Sequence, residues 1–145
     1  MKKASLSFLK LAVAAAIATC LSVGSASAQS LRATFTLPYE VSWGKAVLQP
    51  GAYEISFDSI QGPALVRTAT GRGVVLVRPN SVGLAMKDQP SALLITRTET
   101  GHVVRSLNIR EADMTFVYKP FTKSERKLIG QVEVIEALPI LMAQK

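Results

Sequence analysis

Short segments in which apolar and polar residues alternate constrain the fold of this chain more than any other feature. In residues 31 to 37 every second residue is apolar, from Leu31 to Leu37, and residues 53 to 58 show the same alternation. A period of two is that of a β-strand with one buried face. Further strands are predicted at residues 64–68, 73–78, 92–98, 103–109 and 114–118. The pattern therefore predicts a single all-β domain, a small sandwich or barrel.

Turn residues separate these strands. Residues 67–71 and 97–101 share the sequence Arg-Thr-x-Thr-Gly, and a Val-Val pair follows each glycine. We interpret both as β-hairpins with glycine at the turn. In "LQPGAYEISFD", residues 48–58, Pro50 and Gly51 occupy the two central positions of a type II turn. Because type II turns splay a tight hairpin, a looser connection between two strands or a bulge is predicted here.

One short helix is predicted near the C-terminus, over residues 123–129. Thr122 and Glu125 have the spacing of a capping box, and Gly130 suits a C-terminal cap. Residues 131–135 are predicted to form a last strand. The pattern does not assign a structure to the apolar residues 139–142.

The first 28 residues have the features of a signal peptide. Lys2, Lys3 and Lys10 form a basic start, residues 11–23 are mostly apolar, and a small-residue cleavage site ends at Ala28. The apolar run is shorter than the roughly 20 residues that a spanning helix needs. Lipid attachment at Cys20 is the alternative, but Thr19 is a poor match to the small residue that precedes a lipidated cysteine. We therefore predict an exported β-domain of residues 29–145, periplasmic or secreted, with no transmembrane segment.

The predicted exported domain carries less charge than the whole chain. Three of the 17 basic residues lie before residue 29, so 14 basic residues remain against 10 acidic ones and the net charge falls from +7 to +4. Cys20 is the only cysteine, which excludes a disulfide, a thiol nucleophile and a thiolate metal site from residues 29–145. Export and the lack of aromatic residues interleaved with basic patches disfavour nucleic acid as a partner.

Residues able to carry catalysis are sparse. The one histidine, His102, follows Gly101 at a predicted turn and is expected to be an exposed turn residue, since a metal site needs three or four ligands. No Gly-x-Ser-x-Gly elbow or phosphate-binding loop is present. The sequence therefore predicts no catalytic residues, no metal site and no cofactor, and a small hydrolase that uses His102 is kept as an alternative.

Basic and aromatic residues supply the candidate binding surface. Lys119, Lys123, Arg126 and Lys127 cluster around the predicted helix, and the last three share a helical face. That face could bind an anionic polymer or glycan, or simply be solvated. Tyr39 and Trp43 would share one face of a strand and could grip a sugar ring or a partner, but core packing is the favoured interpretation of Trp43.

Three segments resemble the opening of a known family. Residues 37–41, 43–46 and 48–53 are similar to "P-F-x-F-x-V-G-x-x-x-L-P-A-G-x-Y", which is found in uncharacterised small exported all-β proteins of soil bacteria. Residues 124–128 are similar to a short "S-x-x-E-x-x-L" ending of that family, with different spacing. The resemblance implies an exported β-fold, and it brings no activity and no functional residues.

These observations favour a non-enzymatic exported protein of the cell envelope that acts through protein–protein contacts. The first alternative is a binder of polyanions or glycans that uses the basic C-terminal helix. The second alternative is the small hydrolase. The partner is expected to be an envelope protein or an anionic polymer, and the sequence favours no particular oligomeric state.

Overall fold

Two β-sheets enclose the core in the part of the chain that the computed structural model describes, residues 30–128 and 135–143. The strands are β1 (Leu31–Leu37), β2 (Val41–Trp43), β3 (Ala46–Leu48), β4 (Gly51–Phe57), β5 (Ala64–Thr68), β6 (Val74–Val77), β7 (Ser81–Leu84), β8 (Ala92–Thr98), β9 (Gly101–Ile109), β10 (Met114–Val117), β11 (Ile135–Pro139) and β12 (Leu141–Met142). A 3-10 helix spans Arg110–Ala112, and the helix α1 spans Lys123–Leu128. The prediction of an all-β domain with one short C-terminal helix is confirmed.

Two strands that are neighbours in sequence, β6 and β7, form edges of different sheets. The first sheet has the order β12-β1-β4-β5-β6, and the second has the order β11-β8-β9-β10-β7. Strand β2 pairs in parallel with β9 and also carries β3, whereas the other pairings are antiparallel. Strands β6 and β7 end different sheets and are separated only by residues 78–80.

Aromatic side chains join the two sheets. Phe57 of the first sheet stacks on Phe116 of the second, with 4.5 Å between ring centroids. Trp43 packs at 5.9 Å from Phe35 and edge-on at 5.1 Å from Tyr118. All five rings are at most 5% exposed. Because aromatic rings bury large apolar areas, these contacts are a major part of the core.

The two predicted hairpins are confirmed, and they share their turn chemistry. Strands β5 and β6 form one hairpin and β8 and β9 form the other. The hydroxyls of Thr68 and Thr70 lie 3.0 Å apart, and those of Thr98 and Thr100 lie 3.1 Å apart. Gly71 has a φ of +77°, a backbone conformation that glycine adopts without steric cost. The repeated sequence thus occurs in two hairpins of different loop length, residues 69–73 in the first and 99–100 in the second.

The predicted type II turn at Pro50-Gly51 is wrong. Gly51 has a φ of +151° and is the first residue of β4, opposite Leu37, whereas a type II turn requires about +80° at this position. Strands β3 and β4 belong to different sheets, so this segment carries the chain from one sheet to the other. The Tyr53 hydroxyl donates to the Gln49 carbonyl at 2.8 Å and holds the crossing in place.

The strands near the C-terminus differ from those that the sequence predicts. Of the strand predicted at residues 131–135, only Ile135 is described, and it begins β11. The apolar residues near the end form the rest of β11 and β12. Strand β7 was not predicted, because Val82 and Leu84 are the only apolar residues among its four and so give a short pattern. Residue 129, the Gly130 cap, and the signal peptide with Cys20 lie outside the described residues.

No helix in the described ranges combines the length and apolar character needed to cross a membrane. Helix α1 has six residues, far fewer than the roughly 20 that a spanning helix requires.

Core packing makes a direct prediction for Ile55, which is 0% exposed in the centre of β4. We expect Ile55→Ala to lower the free energy of unfolding by about 2–5 kcal/mol, because the change removes buried contacts and leaves a cavity. Urea unfolding measures the effect. The control is Val47→Ala, at a position that is 56% exposed, which should change the free energy by less than about 0.5 kcal/mol. Equal effects of the two substitutions would contradict the described core.

Candidate functional site

Helix α1 begins with the predicted capping box. The Thr122 backbone N–H donates to Glu125 Oε2 at 2.7 Å, and the Glu125 backbone N–H donates to Thr122 Oγ1 at 3.2 Å. Each residue thus satisfies a backbone donor that a helix start leaves without an intrahelical partner. This pair of bonds fixes where the helix starts.

The same glutamate anchors the helix to the second sheet. Arg105, on β9, is 1% exposed, and its Nη2 lies 2.9 Å from Glu125 Oε1. Arg105 Nε donates to Thr96 Oγ1 at 2.8 Å, and the guanidinium lies 4.6 Å from the centroid of the Phe121 ring. A buried guanidinium must be paired and hydrogen-bonded to offset its desolvation. The need to pair Arg105 therefore directs Glu125 inward.

The surroundings of Glu125 favour its charged form. The hydrogen bond from the Thr122 backbone and the Arg105 guanidinium lower the pKa of Glu125 to about 2. Its usual value is 4.5. The carboxylate is consequently ionised over the whole range in which most proteins are folded.

The predicted basic residues are exposed around this anchor. Lys119, Lys123, Arg126 and Lys127, which we call the basic surface, all lie at the protein surface. The Arg105 carbonyl accepts a hydrogen bond from the Lys119 backbone N–H at 3.1 Å, while its side chain holds the helix. Arg105 thus contacts the backbone of Lys119 through its carbonyl and anchors helix α1 through its side chain. Glu125 is the one acidic residue between positions 119 and 128, and it points inward.

Tyr39 and Trp43 do not form a common binding face. Trp43 is 0% exposed and packs against Tyr118 and Phe35. The hypothesis that its indole contacts a ligand is therefore wrong, and the favoured prediction of core packing is confirmed. Tyr39 lies before β2 and is half-buried at a different place. Its side chain is part of a separate polar cluster.

That cluster surrounds His102. The Tyr39 ring stacks on the imidazole with centroids 3.7 Å apart, and the Tyr39 hydroxyl donates to Glu136 Oε2. Burial, the hydrogen bond and the Glu136 charge raise the pKa of Tyr39 to about 12. Arg97 and Ile95 complete a recess of about 230 Å³. The prediction that His102 is an exposed turn residue is wrong, because the Tyr39 ring covers one of its faces.

The recess bears on the hydrolase alternative. Among the described residues that line it, none is serine, threonine or cysteine, so these residues supply His102 with no serine-type nucleophile. Within the described ranges, no group of three or more His, Cys, Asp or Glu side chains could hold a metal ion.

Sequence reasoning missed an apolar surface at the edge of the second sheet. Val82 and Leu84 of β7 lie opposite Phe116 and Met114 of β10, and they are 40% and 78% exposed. Directly opposite residues project from the same face of a sheet, and Phe116 projects into the core. Val82 and Leu84 therefore extend the core face of the second sheet beyond the cover of the first. The spacing of two residues between Val82 and Leu84 is the sequence pattern that could have predicted this strand.

A second recess is lined in part by Phe116 of β10. It has a volume of about 480 Å³ and lies beside the end of β4. Its apolar lining comes from Leu31, Phe57, Ile60 and Phe116, and its polar lining comes from Asp58, Ser59 and Gln61. Phe116 forms part of the recess and also lies opposite Val82. The recess therefore lies against β10, the strand with which β7 pairs.

The lowered pKa of Glu125 predicts that the free energy of unfolding depends on pH. Its pKa is lower in the folded chain than its usual value, so its contribution is present above about pH 4.5 and is lost as the pH falls toward 2. We expect the stability advantage of the wild type over Glu125→Gln to shrink over this range. Urea unfolding at a series of pH values measures it. Lys123→Gln, at an exposed position of the same helix, is the control. A constant difference between wild type and Glu125→Gln would contradict the role of the carboxylate charge.

Comparison with known proteins adds no identity: no family model, no curated protein and no solved structure matches this chain. The resemblance in residues 37–53 therefore stays a prediction. The arguments about function that follow depend on the chemistry of the described surfaces.

Proposed function

We propose that this chain is a non-enzymatic exported protein of the cell envelope that acts by binding a protein partner. The observation that supports this most directly is the open edge of β7, by which we mean the side of Ser81–Leu84 that faces away from β10. In the described part of the chain, β7 pairs with β10 alone.

A strand edge of this kind favours protein contacts for two physical reasons. Its backbone N–H and C=O groups are available to pair with another chain. Its apolar side chains are also exposed, since Val82 is 40% and Leu84 is 78% exposed, and Met86 just after the strand is 44% exposed. Contiguous exposed apolar surface marks interaction sites in many proteins. A protein segment can use both features, because its backbone can pair with the edge while its side chains cover the apolar residues.

The export prediction supplies the compartment. A basic start, an apolar run and a cleavage site at Ala28 direct the chain out of the cytoplasm. The partner is therefore expected among envelope or secreted proteins.

Crosslinking in living cells tests this proposal. A photoreactive amino acid replaces Leu84 in the full chain, which is expressed with its own N-terminal segment and a C-terminal tag. We expect a discrete covalent adduct with another protein, because Leu84 lies 78% exposed on the open edge. Gel mobility and mass spectrometry identify the adduct.

The matched control places the same photoreactive residue at Leu141. This residue is 73% exposed on β12, the edge strand of the first sheet that lies farthest from β6 in strand order. We expect no such adduct there. Absence of any protein adduct from Leu84, or the same adducts from both positions, would refute a specific partner at β7.

A second candidate function is the binding of an anionic polymer by the basic surface. Glu125, the one acidic residue between positions 119 and 128, is paired with Arg105. The exposed residues Lys119, Lys123, Arg126 and Lys127 therefore have no other acidic residue between them in sequence. Clustered positive charge on an anchored helix attracts polyanions. This observation favours the candidate independently of the β7 edge.

Affinity for a sulfated polysaccharide tests the second candidate. We expect combined Lys123→Ala, Arg126→Ala and Lys127→Ala to weaken binding by about ten-fold at low salt, since each exposed ion pair contributes at most about 1 kcal/mol. The difference should vanish at high salt because ions screen exposed charges. Isothermal titration calorimetry at two salt concentrations measures both effects.

The control removes the same charge from other exposed positions, with Arg32→Ala, Arg72→Ala and Arg78→Ala combined. An equal loss of affinity in this variant would show that net charge alone attracts the polymer. The basic surface would then not be a binding site.

A further inference from the structure

We infer that the partner at the open edge of β7 is a second copy of this chain, and that the two β7 strands pair antiparallel about a two-fold axis at Gly83. In this register Val82 of one copy lies opposite Leu84 of the other. The inference rests on the proposed function, because it names the protein that the open edge binds.

The pairing of β7 with β10 determines which backbone groups face the open edge. Ala85, one residue beyond β7, donates its backbone N–H to the Asp113 carbonyl at 3.2 Å, in the register of the strand. In an antiparallel ladder the backbone groups of alternate residues point to the same side. The groups of Gly83 therefore point to β10 as well. Those of Val82 and Leu84 point to the open edge.

Hydrogen bonds on both sides of β7 limit the available part of this edge. The backbone N–H of Asn80 donates to the Val117 carbonyl at 2.7 Å, and that of Met86 donates to Asn108 Oδ1 at 3.0 Å. Neither donor is available to another chain. The available edge is consequently three residues long, from 82 to 84, and it is symmetric about Gly83.

A two-fold axis at Gly83 pairs all four backbone groups that face this edge. Two opposite residues of a hydrogen-bonded antiparallel pair exchange both of their N–H···O=C bonds. Val82 and Leu84 would therefore each form two such bonds with the other residue type in the second copy. Moving the axis by one residue would place one of them opposite a residue whose donor is already used. The edge thus complements itself, and such a contact closes on two copies.

The same register brings the exposed apolar side chains together. Val82 and Leu84 are 40% and 78% exposed and project from one face of the sheet. Directly opposite residues of an antiparallel pair have neighbouring side chains, so each Leu84 would pack against a Val82 of the second copy. At Gly83 the two chains approach most closely, and no other atom lies within 4 Å of the position that a Cβ would occupy. No side chain therefore blocks the approach at the axis.

The charges around β7 are also compatible with two identical chains. Residues 79–86 carry no charge, whereas edge strands that avoid pairing are often protected by lysine or another charged residue. Arg78 lies five residues before Gly83 and Asp88 lies five residues after it, and both are exposed. The axis brings Arg78 of one copy to the end of the contact where Asp88 and Lys87 of the other lie. Asp88 thus offsets positive charge at each end of the contact.

Cysteine trapping tests the axis directly. The full chain carries Gly83→Cys together with Cys20→Ser, which removes the natural cysteine, and is oxidised by air with copper–phenanthroline as catalyst. Opposite residues of a non-hydrogen-bonded pair have Cα atoms about 4.5 Å apart, which is within the reach of a disulfide. We expect a dimer on gel electrophoresis that a reductant converts to monomer. Trapping suits this contact because strands of four residues form a small and therefore weak interface.

Ser81→Cys in the same Cys20→Ser background is the matched control. Ser81 is exposed on the same strand. In the inferred register its two copies are four residues apart along the ladder, about 13 Å, which is too far for a disulfide. Absence of a dimer from Gly83→Cys, or equal yields of dimer from both positions, would overturn the inference.

A second substitution tests the apolar contact. Adding Leu84→Lys to Gly83→Cys should lower the yield of trapped dimer about five-fold or more, because it removes the apolar contact and places two positive charges near the axis. Leu141→Lys, at a position on β12 that is 73% exposed, adds the same charge elsewhere and should leave the yield unchanged. The same yield from both lysine variants would contradict the contact.

Photocrosslinking from position 84 separates this inference from the proposed function. Two copies of the chain with different tags are expressed together, so that an adduct between copies carries both tags. Such an adduct supports the inference and the proposed function. A discrete adduct with a different protein refutes the inference and leaves the proposed function standing. Absence of any protein adduct refutes both.

Discussion

The stacking of Phe57 on Phe116 is the contact on which the rest of the structure depends. It joins the ends of β4 and β10, which lie in different sheets, with ring centroids 4.5 Å apart. The described residues contain no cysteine, so packing has to keep the sheets together. Phe57 and Phe116 also line the recess beside the end of β4.

Arg105, on β9 of the second sheet, also has two roles. A buried guanidinium is unfavourable unless it is paired, and Glu125 supplies that pair together with the hydrogen bond from Arg105 to Thr96. Pairing anchors a helix of six residues that would not be stable alone. It also pairs the one acidic residue between positions 119 and 128 with a buried guanidinium. The basic surface thus depends on this ion pair for the position of its helix.

The sequence predicts those parts of the fold that short stretches of chain determine. The hairpins at Gly71 and Gly101 and the capping box of Thr122 and Glu125 depend on residues close together in sequence, and the structure contains all of them. The turn at Pro50-Gly51 was predicted with the wrong geometry because its conformation depends on which sheet each neighbouring strand joins. Strand β7 was missed because pairing with β10, rather than burial of its own residues, makes it a strand.

The sequence by itself determined that this protein is a β-domain with a capped C-terminal helix, and it predicted export and an exposed set of basic residues. Alternation, turn residues and charge are local properties, so they can be interpreted without knowing the partners of each strand. Only the tertiary structure decided that Trp43 is a core residue, that His102 lies under Tyr39, and that Val82 and Leu84 leave an apolar edge exposed. These features depend on which strands become neighbours and where one sheet ends above the other, and both result from contacts between residues far apart in sequence.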